Sequence, residues 1–376
     1  YISTNRGIHR IDELFNYRMP QDTMIKVNGL NVETEKGIKN VSHLYYKTVD
    51  NVIKVTTDLG IPITGTPNHP LMVLTPELRY VWRNLEDIKK GDMLCIPKNQ
   101  NRTTNKNVPI YLAYIMGYII ANSTMHENYQ WKLTAYREED QRRIERLLSK
   151  ISNLDYSNSA WTDMSICIKA EDKKVLMSYG MTTGVAADKK VPQIIMDSSI
   201  DSIKAFLRAY LHCDGYVSDT KSADHVQVCT ASKELEDQIY MLLLKIGAIP
   251  SYRKSKISWA RNSKCPTKRL YYISGYYGTS CDIIKRELRL GDTKAPMHQY
   301  MVTAIPYVRR LLQEFNKKYA SKGGWYIDAD GKKEQRSILP SCSKGKNKLS
   351  YIGYKNLNID SNIDFIARYD ADLADR

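Results

Sequence analysis

Two things are missing from this sequence: cysteines in C-x-x-C pairs, and an apolar run of membrane length. The 7 cysteines are Cys95, Cys167, Cys213, Cys229, Cys265, Cys281 and Cys342. Their odd number and scattered spacing exclude a zinc ribbon or a disulfide framework and point to a reducing compartment. The longest apolar run, around residues 110–121, falls short of the roughly 20 residues that span a bilayer. No secretory signal is visible at the N-terminus, so the expected setting is the cytoplasm of a bacterial, archaeal or phage-infected cell. The first residue is Tyr1 rather than Met, as expected of a start inside a longer product. Acid is also in short supply. Lys and Arg number 56 against 41 Asp and Glu, for a net charge of +15 and a pI of about 9.3. A balance that basic favours a polyanionic partner, most often nucleic acid, over scattered surface lysines.

With 376 residues, 42% hydrophobic and 26% charged, the chain has room for two or three globular domains. Residues 1–97 read as β-rich, because short runs such as NVIKVTTD (51–58) and LMVLTP (71–76) are broken by Gly and Pro. Residues 98–108 are polar and aperiodic and read as a linker. From 109 to 290 helical patterns alternate with strands, and the chain repeats itself. KLTAYREEDQRRIERLLSKI (132–151) resembles VCTASKELEDQIYMLLLKIGAI (228–249), with Thr134-Ala135 against Thr230-Ala231 and Leu147-Leu148 against Leu242-Leu243. Two units are therefore expected, at about 109–200 and 201–290. Residues 291–376 are less regular. They open with a basic amphipathic helix, PYVRRLLQEFNKKYA (306–320), and the stretch 301–355 carries about +8. Such a segment is either a solvated tail or a nucleic-acid contact surface. Interleaved Trp325, Tyr326, Tyr351 and Tyr354 favour the second.

Two apolar runs precede the repeated segments: LAYIMGYIIANSTM (112–125) and AFLRAYLHCDGY (205–216). Aligned on their ends, Ala113 and Gly117 fall opposite Ala205 and Ala209, small residues four apart on one helix face. Helices with such faces approach closely, and internal duplication favours pseudo-twofold pairing. Asn122 and Asp214 would then meet at one end of the interface. The residues alone leave two readings open there. One is an oxygen-ligand site for a divalent cation; the other is a buried helix pair whose terminal Asp caps a turn.

FLRAYLHCDGYV (206–217) closely resembles the motif of the LAGLIDADG (dodecapeptide) homing endonucleases, and GYIIANST (117–124) resembles it more weakly. GMTTGVAADKKVPQII (180–195) resembles the family's link into its second motif. The resemblance covers about 105–290. It implies Mg²⁺ (or Mn²⁺) at the motif ends, held at Asp214, Asn122, Ala121 and Cys213, with Asp214 and Asn122 also as catalytic positions. It also implies a basic catalytic helper, for which Lys254 and Lys268 are the candidates, and sheets that grip double-stranded DNA. The implied DNA contacts are Arg253, Lys254, Lys256, Arg261, Lys264, Lys268 and Arg269, with Lys332, Lys333, Arg336, Lys344, Lys346 and Lys348 in the C-terminal extension.

YISTNRGIHRIDELF (1–15), ITGTPNHPLMVL (63–74) and VWRNLEDIKKGDMLCIP (81–97) resemble, in order, three segments of the intein Hint domain. Thr66 and His69 fall at the Thr-x-x-His positions of the second. In the family that His assists the first acyl shift at the scissile peptide bond. A lone His beside a Pro turn would otherwise read as an ordinary hairpin residue. The family's nucleophile before the first segment and its closing His-Asn segment have no counterpart here, so this chain is not expected to splice by itself. The implied fold class is α+β: a β-rich Hint-like N-terminal domain, then a pseudo-twofold duplicated αββαββα endonuclease domain acting as a monomer. The expected partner is a long DNA site, such as the host gene without the insertion.

The two motif ends differ. Asn122 lacks the charge of Asp214, and Ser123 replaces the equivalent of Gly215, where a positive φ would be tolerated. SYRKSKISWARNSKCPTKR (251–269) holds seven Lys or Arg and no acid, whereas ISNLDYSNSAWTDMSI (151–166) holds no Lys or Arg. Three changes of one sense point to natural decay of the first site, and so to nicking or slow cleavage. A cleavage-dead DNA-binding protein and a splicing element with a vestigial nuclease are the other readings.

Overall fold

The computed structural model describes residues 1–14, 22–34, 36–77, 79–96, 108–125, 127, 130–156, 161, 164–218, 225–259, 268–290, 304–306, 308–321, 325–327, 331–335, 348–350 and 365–369. The protein is mixed α/β, with several small antiparallel sheets. The first 96 residues supply β1 (Ile2–Thr4), β2 (Gly7–His9), β3 (Thr23–Lys26), β4 (Asn31–Thr34), β5 (Gly37–Asn40), β6 (His43–Tyr46), β7 (Ile53–Thr56), β8 (Pro62–Gly65), β9 (Pro70–Leu74), β10 (Tyr80–Asn84) and β11 (Met93–Leu94). They pair as β2-β1-β4-β5, β3-β6, β7-β8 and β10-β9-β11. Exposure alternates along β3, β7 and β10, because successive side chains point to opposite faces and only one face is covered.

The central region runs α1 (Ile110–Asn122), β12 (Ser123–Thr124), β13 (Lys132–Thr134), α2 (Glu138–Ser152), β14 (Ser165–Cys167) and α3 (Ala170–Ser178). It continues with α4 (Gln193–Met196), α5 (Ile200–Asp214), β15 (Gly215–Ser218), β16 (His225–Thr230), α6 (Lys233–Lys245), β17 (Tyr252–Trp259), β18 (Lys268–Tyr277) and α7 (Gly278–Leu288). The sheets are β12-β13-β14 and β15-β16-β18-β17. Compared along the expected repeat, the element orders 110–178 and 200–288 show one difference in register and one asymmetry. Ser123 pairs with Leu133 and Gly215 with Val228, so Leu133 corresponds to Val228 and Thr134 to Cys229 rather than to Thr230. The helical match of Leu147 with Leu242 has the same offset as this pairing; the Thr134–Thr230 match is out by one. The asymmetry is β17, which has no counterpart among the described residues of the first unit. Residues 153–169 join α2 to α3, whereas residues 246–277 join α6 to α7.

α1 and α5 form the middle of the main core. Ile115, Met116, Ile119, Phe206, Leu207 and Tyr210 are fully or almost fully buried. α1 is apolar all round because it is surrounded, as expected for a central helix. The small faces do meet: a Cβ on Gly117 would lie 2.3 Å from the carbonyl oxygen of Phe206 and 3.2 Å from the Cβ of Ala209. α6 starts where the Ser232 hydroxyl accepts the Leu235 N–H at 3.1 Å, an N-cap that satisfies one orphan donor.

The β-rich N-terminal region shares this core. Ile8 is buried in it, and the Gln193 side chain donates to the Ile8 carbonyl at 3.0 Å. At a second contact, Ile61 packs with Tyr240 and Leu244 of α6, and the Arg253 N–H donates to the Leu59 carbonyl at 2.8 Å. Gly60, at φ +76°, lies where a Cβ would come within 2.0 Å of the Arg253 carbonyl oxygen, so no side chain fits. Of the expected linker 98–108 only Val108 is described; it is buried, and its carbonyl accepts the Ser202 hydroxyl at 2.7 Å.

The C-terminal stretch contributes β19 (Ala304–Pro306), α8 (Val308–Tyr319), β20 (Ala320–Ser321), β21 (Trp325–Ile327), β22 (Lys333–Gln335) and β23 (Lys348–Ser350). Phe315, Tyr326, Phe365 and Tyr369 pack ring against ring as its own small core. Tyr326, expected on a contact surface, is therefore inside, while Trp325 on the other face of the strand is exposed. Among the described residues no helix is long and apolar enough to cross a membrane.

Candidate active site at the ends of the paired helices

The last residues of α1 and α5 are Asn122 and Asp214, and both helices run directly into a strand, at Ser123 and Gly215. The expected positive φ at Gly215 is not there: φ is −79°. Glycine is needed for space instead, since a Cβ would sit 2.3 Å from the Leu211 carbonyl oxygen. Ser123 uses its hydroxyl to donate to the Ile119 carbonyl at 2.5 Å.

The side chain that joins the two helix ends is one that sequence patterning missed. Lys189 lies in the connection between α3 and α4. Its ammonium donates to the carbonyls of Ile120 at 2.7 Å and Ser123 at 3.0 Å, and lies 3.5 Å from that of Ala121. Ile120 and Ala121 are in the last turn of α1, whose carbonyls lack intrahelical partners and favour a cation, and Ser123 is the residue that caps it and opens β12. The same ammonium faces the carboxylate of Asp214 closely enough for each to perturb the other. Both helix C-termini therefore converge on one cation. Asp214 is open to solvent on one side and crowded by protein on the others. Crowding pushes its carboxyl up to about 6, and the attraction of Lys189 only partly offsets this. Burial likewise lowers the Lys189 ammonium from its ordinary range, against the pull of Asp214.

On the α1 side, the Tyr118 hydroxyl lies close to Asn122 and Cys213, and burial is the main reason its proton is held more tightly than usual. Burial, followed by the negative field of Asp214, raises the Cys213 thiol well above its usual range, so it stays protonated and is a poor metal ligand. His212 reaches Asp140 of α2 at 3.4 Å. Among the described residues no group of three His, Cys, Asp or Glu side chains surrounds a common point.

Strand register sorts the other predicted residues. Val226, Val228, Ser274 and Tyr276 are buried beneath the helices, so the alternate residues of the second sheet face outward. That outer face carries His225, Gln227 and Cys229 of β16, then Arg269, Tyr271, Ile273 and Tyr277 of β18, then Tyr252, Lys254, Lys256 and Ser258 of β17. Cys229 feels the charge of Asp214, and the row Cys229–Ile273–Lys254 leads outward from there. Lys254 is thus two strand spacings, roughly 10 Å, from Cys229. Its ammonium lies over the Tyr252 ring at 4.7 Å rather than on Asp214. Lys268 stands at the far end of β18 with the opposite facing. Neither expected catalytic lysine is placed on the acid; Lys189 lies near enough for its charge to act on Asp214, without an ion pair between them.

Arg253 is also corrected. Its side chain is 6% exposed, donates to Glu236 at 2.8 Å and to Asp237 at 2.5 Å, and stacks on Tyr240. Glu236 in turn accepts the Ser274 hydroxyl. Arg253 holds the sheet to α6 and is not free to touch DNA. Arg269, Lys332 and Lys333 are exposed, and Lys348 lies in β23; Arg261, Lys264, Arg336, Lys344 and Lys346 lie outside the described residues.

In the N-terminal region, Thr66 and His69 close a turn between β8 and β9. The His69 N–H donates to the Thr66 carbonyl at 2.9 Å, and the Thr66 hydroxyl donates to Asn68 at 2.8 Å. The imidazole is exposed beside Gly65. Tyr1 lines a cleft with Arg10, Asp12, Lys233, Glu234 and Asp237, which Thr66 and His69 do not line.

The model of the intein splicing domain matches residues 2–319. The chain belongs to the intein splicing domain family. The intein-family chain is 26% identical over 242 residues to replication factor C small subunit of Thermococcus kodakarensis, covering 62% of this chain and 26% of that protein. It is also 26% identical over 238 residues to replication factor C small subunit of Methanocaldococcus jannaschii, covering 61% and 12%. Against an A-type ATP synthase subunit of Pyrococcus abyssi it is 26% identical over 246 residues, covering 57% and 23%. It thus spans about a quarter or less of the length of these relatives. Among solved structures, full-length DUF199/WhiA from Thermatoga maritima is similar at a TM-score of 0.33 and 12% identity, over 56% of this chain and 69% of that one. The N-terminal LAGLIDADG domain of DUF199/WhiA is similar at 0.29 and 13%, over 52% and 97%. Likeness that loose does not bear on the fold.

Proposed function

We propose that this intein-family chain carries a LAGLIDADG-type homing endonuclease at about 109–290, set between a Hint-like region at 1–97 and a basic C-terminal extension at 291–376. It binds a long double-stranded DNA site as a monomer and hydrolyses phosphodiester bonds. The observation that carries the reading is Lys189, which is bonded to the end of α1 and lies within electrostatic reach of Asp214 of α5, beside a sheet whose outer face bears Lys254, Lys256, Arg269 and tyrosines. The matched region is a small part of each long relative, as an inserted element would be. That supports the uninterrupted host gene as target and the cytoplasm as the place of action.

The donor set fits one hard cation better than two. Asp214 offers a carboxylate, and Mg²⁺ or Mn²⁺ would complete its oxygen shell with water and a DNA phosphate. At the end of α1 only the neutral Asn122 amide is offered, and the carbonyls of Ile120 and Ser123 already serve the Lys189 ammonium. When bound, the metal would lower the pKa of a water and stabilise the leaving oxygen. Lys189 holds a fixed positive charge where the phosphodiester gains negative charge, a preorganised form of stabilisation. With one well-equipped end, one strand is cut faster than the other.

A supercoiled plasmid carrying the uninterrupted host sequence, incubated with Mg²⁺, should accumulate nicked circles before linear product. Asn122→Asp should speed linearisation. Rapid full linearisation by the unaltered chain would sink the weakened-site reading. Tight DNA binding with no Mg²⁺-dependent cut would favour the cleavage-dead alternative. The Thr66–His69 turn and the family match support a splicing role as well, which needs a nucleophile before Tyr1 and a closing His-Asn segment. Splicing by the full reading frame, lost on His69→Ala, tests it.

A further inference from the structure

The two units differ most on the faces that would meet DNA. The 32 residues between α6 and α7 form two long strands, whereas 17 residues join α2 to α3 and form one short strand among the described residues. β18 has ten residues and β17 eight; β13 and β14 have three each. At roughly 3.3 Å per residue, β18 reaches about 33 Å and β13 about 10 Å. A base pair rises about 3.4 Å, so the second sheet can face about ten base pairs and the first about three.

The side chains differ in the same sense. On the second sheet Gln227, Lys254, Lys256 and Arg269 offer hydrogen bonds to base edges or phosphates, between the rings of Tyr216, Tyr252, Tyr271 and Tyr277. Gln227 is held in advance, because its side-chain oxygen accepts the Tyr252 hydroxyl at 3.1 Å. Tyr252 lies across Gly275, where any Cβ would come within 2.4 Å of its ring. On the first sheet the outward residues are Thr124, Lys132, Thr134, Ser165 and Cys167. Two of these, Thr134 and Ser165, hydrogen-bond to each other at 3.0 Å and are already satisfied.

We infer that the DNA site is read unequally: the half-site under β15-β16-β18-β17 carries nearly all sequence discrimination and electrostatic anchoring, and the half-site under β12-β13-β14 is tolerated in most sequences. This rests on the proposed function and narrows it. Gln227 and Arg269 are base readers, each discriminating about tenfold at its base pair. Lys254 and Lys256 are phosphate anchors, each changing the salt slope by about one. Arg253 contributes to neither.

The test is selection by the full chain, in EDTA, from a duplex pool carrying 24 random base pairs, followed by sequencing of the bound fraction. One contiguous block of about ten specified base pairs beside a nearly free block is the expected outcome. Gln227→Ala and Arg269→Ala should each flatten one or two positions of the specified block. Lys254→Gln and Lys256→Gln should weaken binding to every sequence about equally. Lys132→Gln, Thr134→Val and Ser165→Ala should leave the motif unchanged. Information spread evenly over both halves, or motif changes from the first-sheet variants equal to those from the second, would overturn the inference while leaving DNA binding intact. Failure to hold any duplex at low salt, with thermal unfolding unchanged, would overturn the proposed function and the inference together.

Discussion

Gly117 of α1 lies against Phe206 of α5 so closely that a Cβ would come within 2.3 Å of the Phe206 carbonyl oxygen. The contact sets how deeply the helices pair, and through them where Asn122 and Asp214 stand. Gly117→Ala should therefore force the helices apart. Overpacking of this kind costs about 1–3 kcal/mol, read as a lower urea midpoint at unchanged slope. DNA nicking should fall more than DNA affinity, because the helix ends move while the sheet face does not.

Lys189 is expected to matter more to turnover than to binding. Lys189→Gln removes the charge beside Asp214 and the donors to Ile120 and Ser123. Nicking at saturating DNA should drop by about a hundredfold, the scale for loss of one preorganised group. Affinity for duplex should change little. By contrast, Lys268→Gln should leave nicking near normal.

Asp214 makes stability depend on pH in a defined direction. Its folded-state carboxyl is raised to about 6, above the ordinary carboxylate range. The folded state then binds the proton more tightly than the unfolded one. That favourable contribution is complete at low pH and is lost as pH rises from about 4 through about 6. In EDTA, Asp214→Asn should escape this loss. Its melting temperature should match the parent near pH 4 and exceed it at pH 7. Added Mg²⁺ should narrow the gap at pH 7 by stabilising the parent alone.

Arg253 and Glu236 form a buried pair, with side chains 6% and 4% exposed. Arg253→Ala leaves Glu236 buried without its partner, and should cost about 3–5 kcal/mol in urea unfolding. Replacing both by methionine should recover most of that loss. The salt dependence of DNA binding should not change in the double variant, since Arg253 does not reach the outer face.

The paired helices were legible because their signal is local. Small residues four apart, an apolar run and a terminal Asn or Asp can be read without knowing what lies opposite. The β-rich N-terminal region and the Thr66–His69 turn were legible for the same reason. The lysine at the helix ends was not. Lys189 is separated from Ile120 by 69 positions, and Asp-Lys-Lys in a connecting loop has no periodicity to mark it. Lys254 and Lys268 looked better because they lie in a dense basic run, and density says nothing about direction.

By itself the sequence determined a basic, duplicated, mixed α/β chain with a helix pair ending in Asn122 and Asp214, and the imbalance of charge between its two units. Composition, spacing and repetition are properties of the chain and need no partner to be seen. Only the tertiary structure decided which lysine lies near the ends of both helices, why Gly215 has no side chain, that Arg253 turns inward while Lys254 turns outward, and that the N-terminal strands share the central core. Each of these depends on strand register or on contact between distant segments. Neighbouring residues in a strand face opposite ways, so one step in pairing exchanges a buried ion pair for an outward-facing side chain.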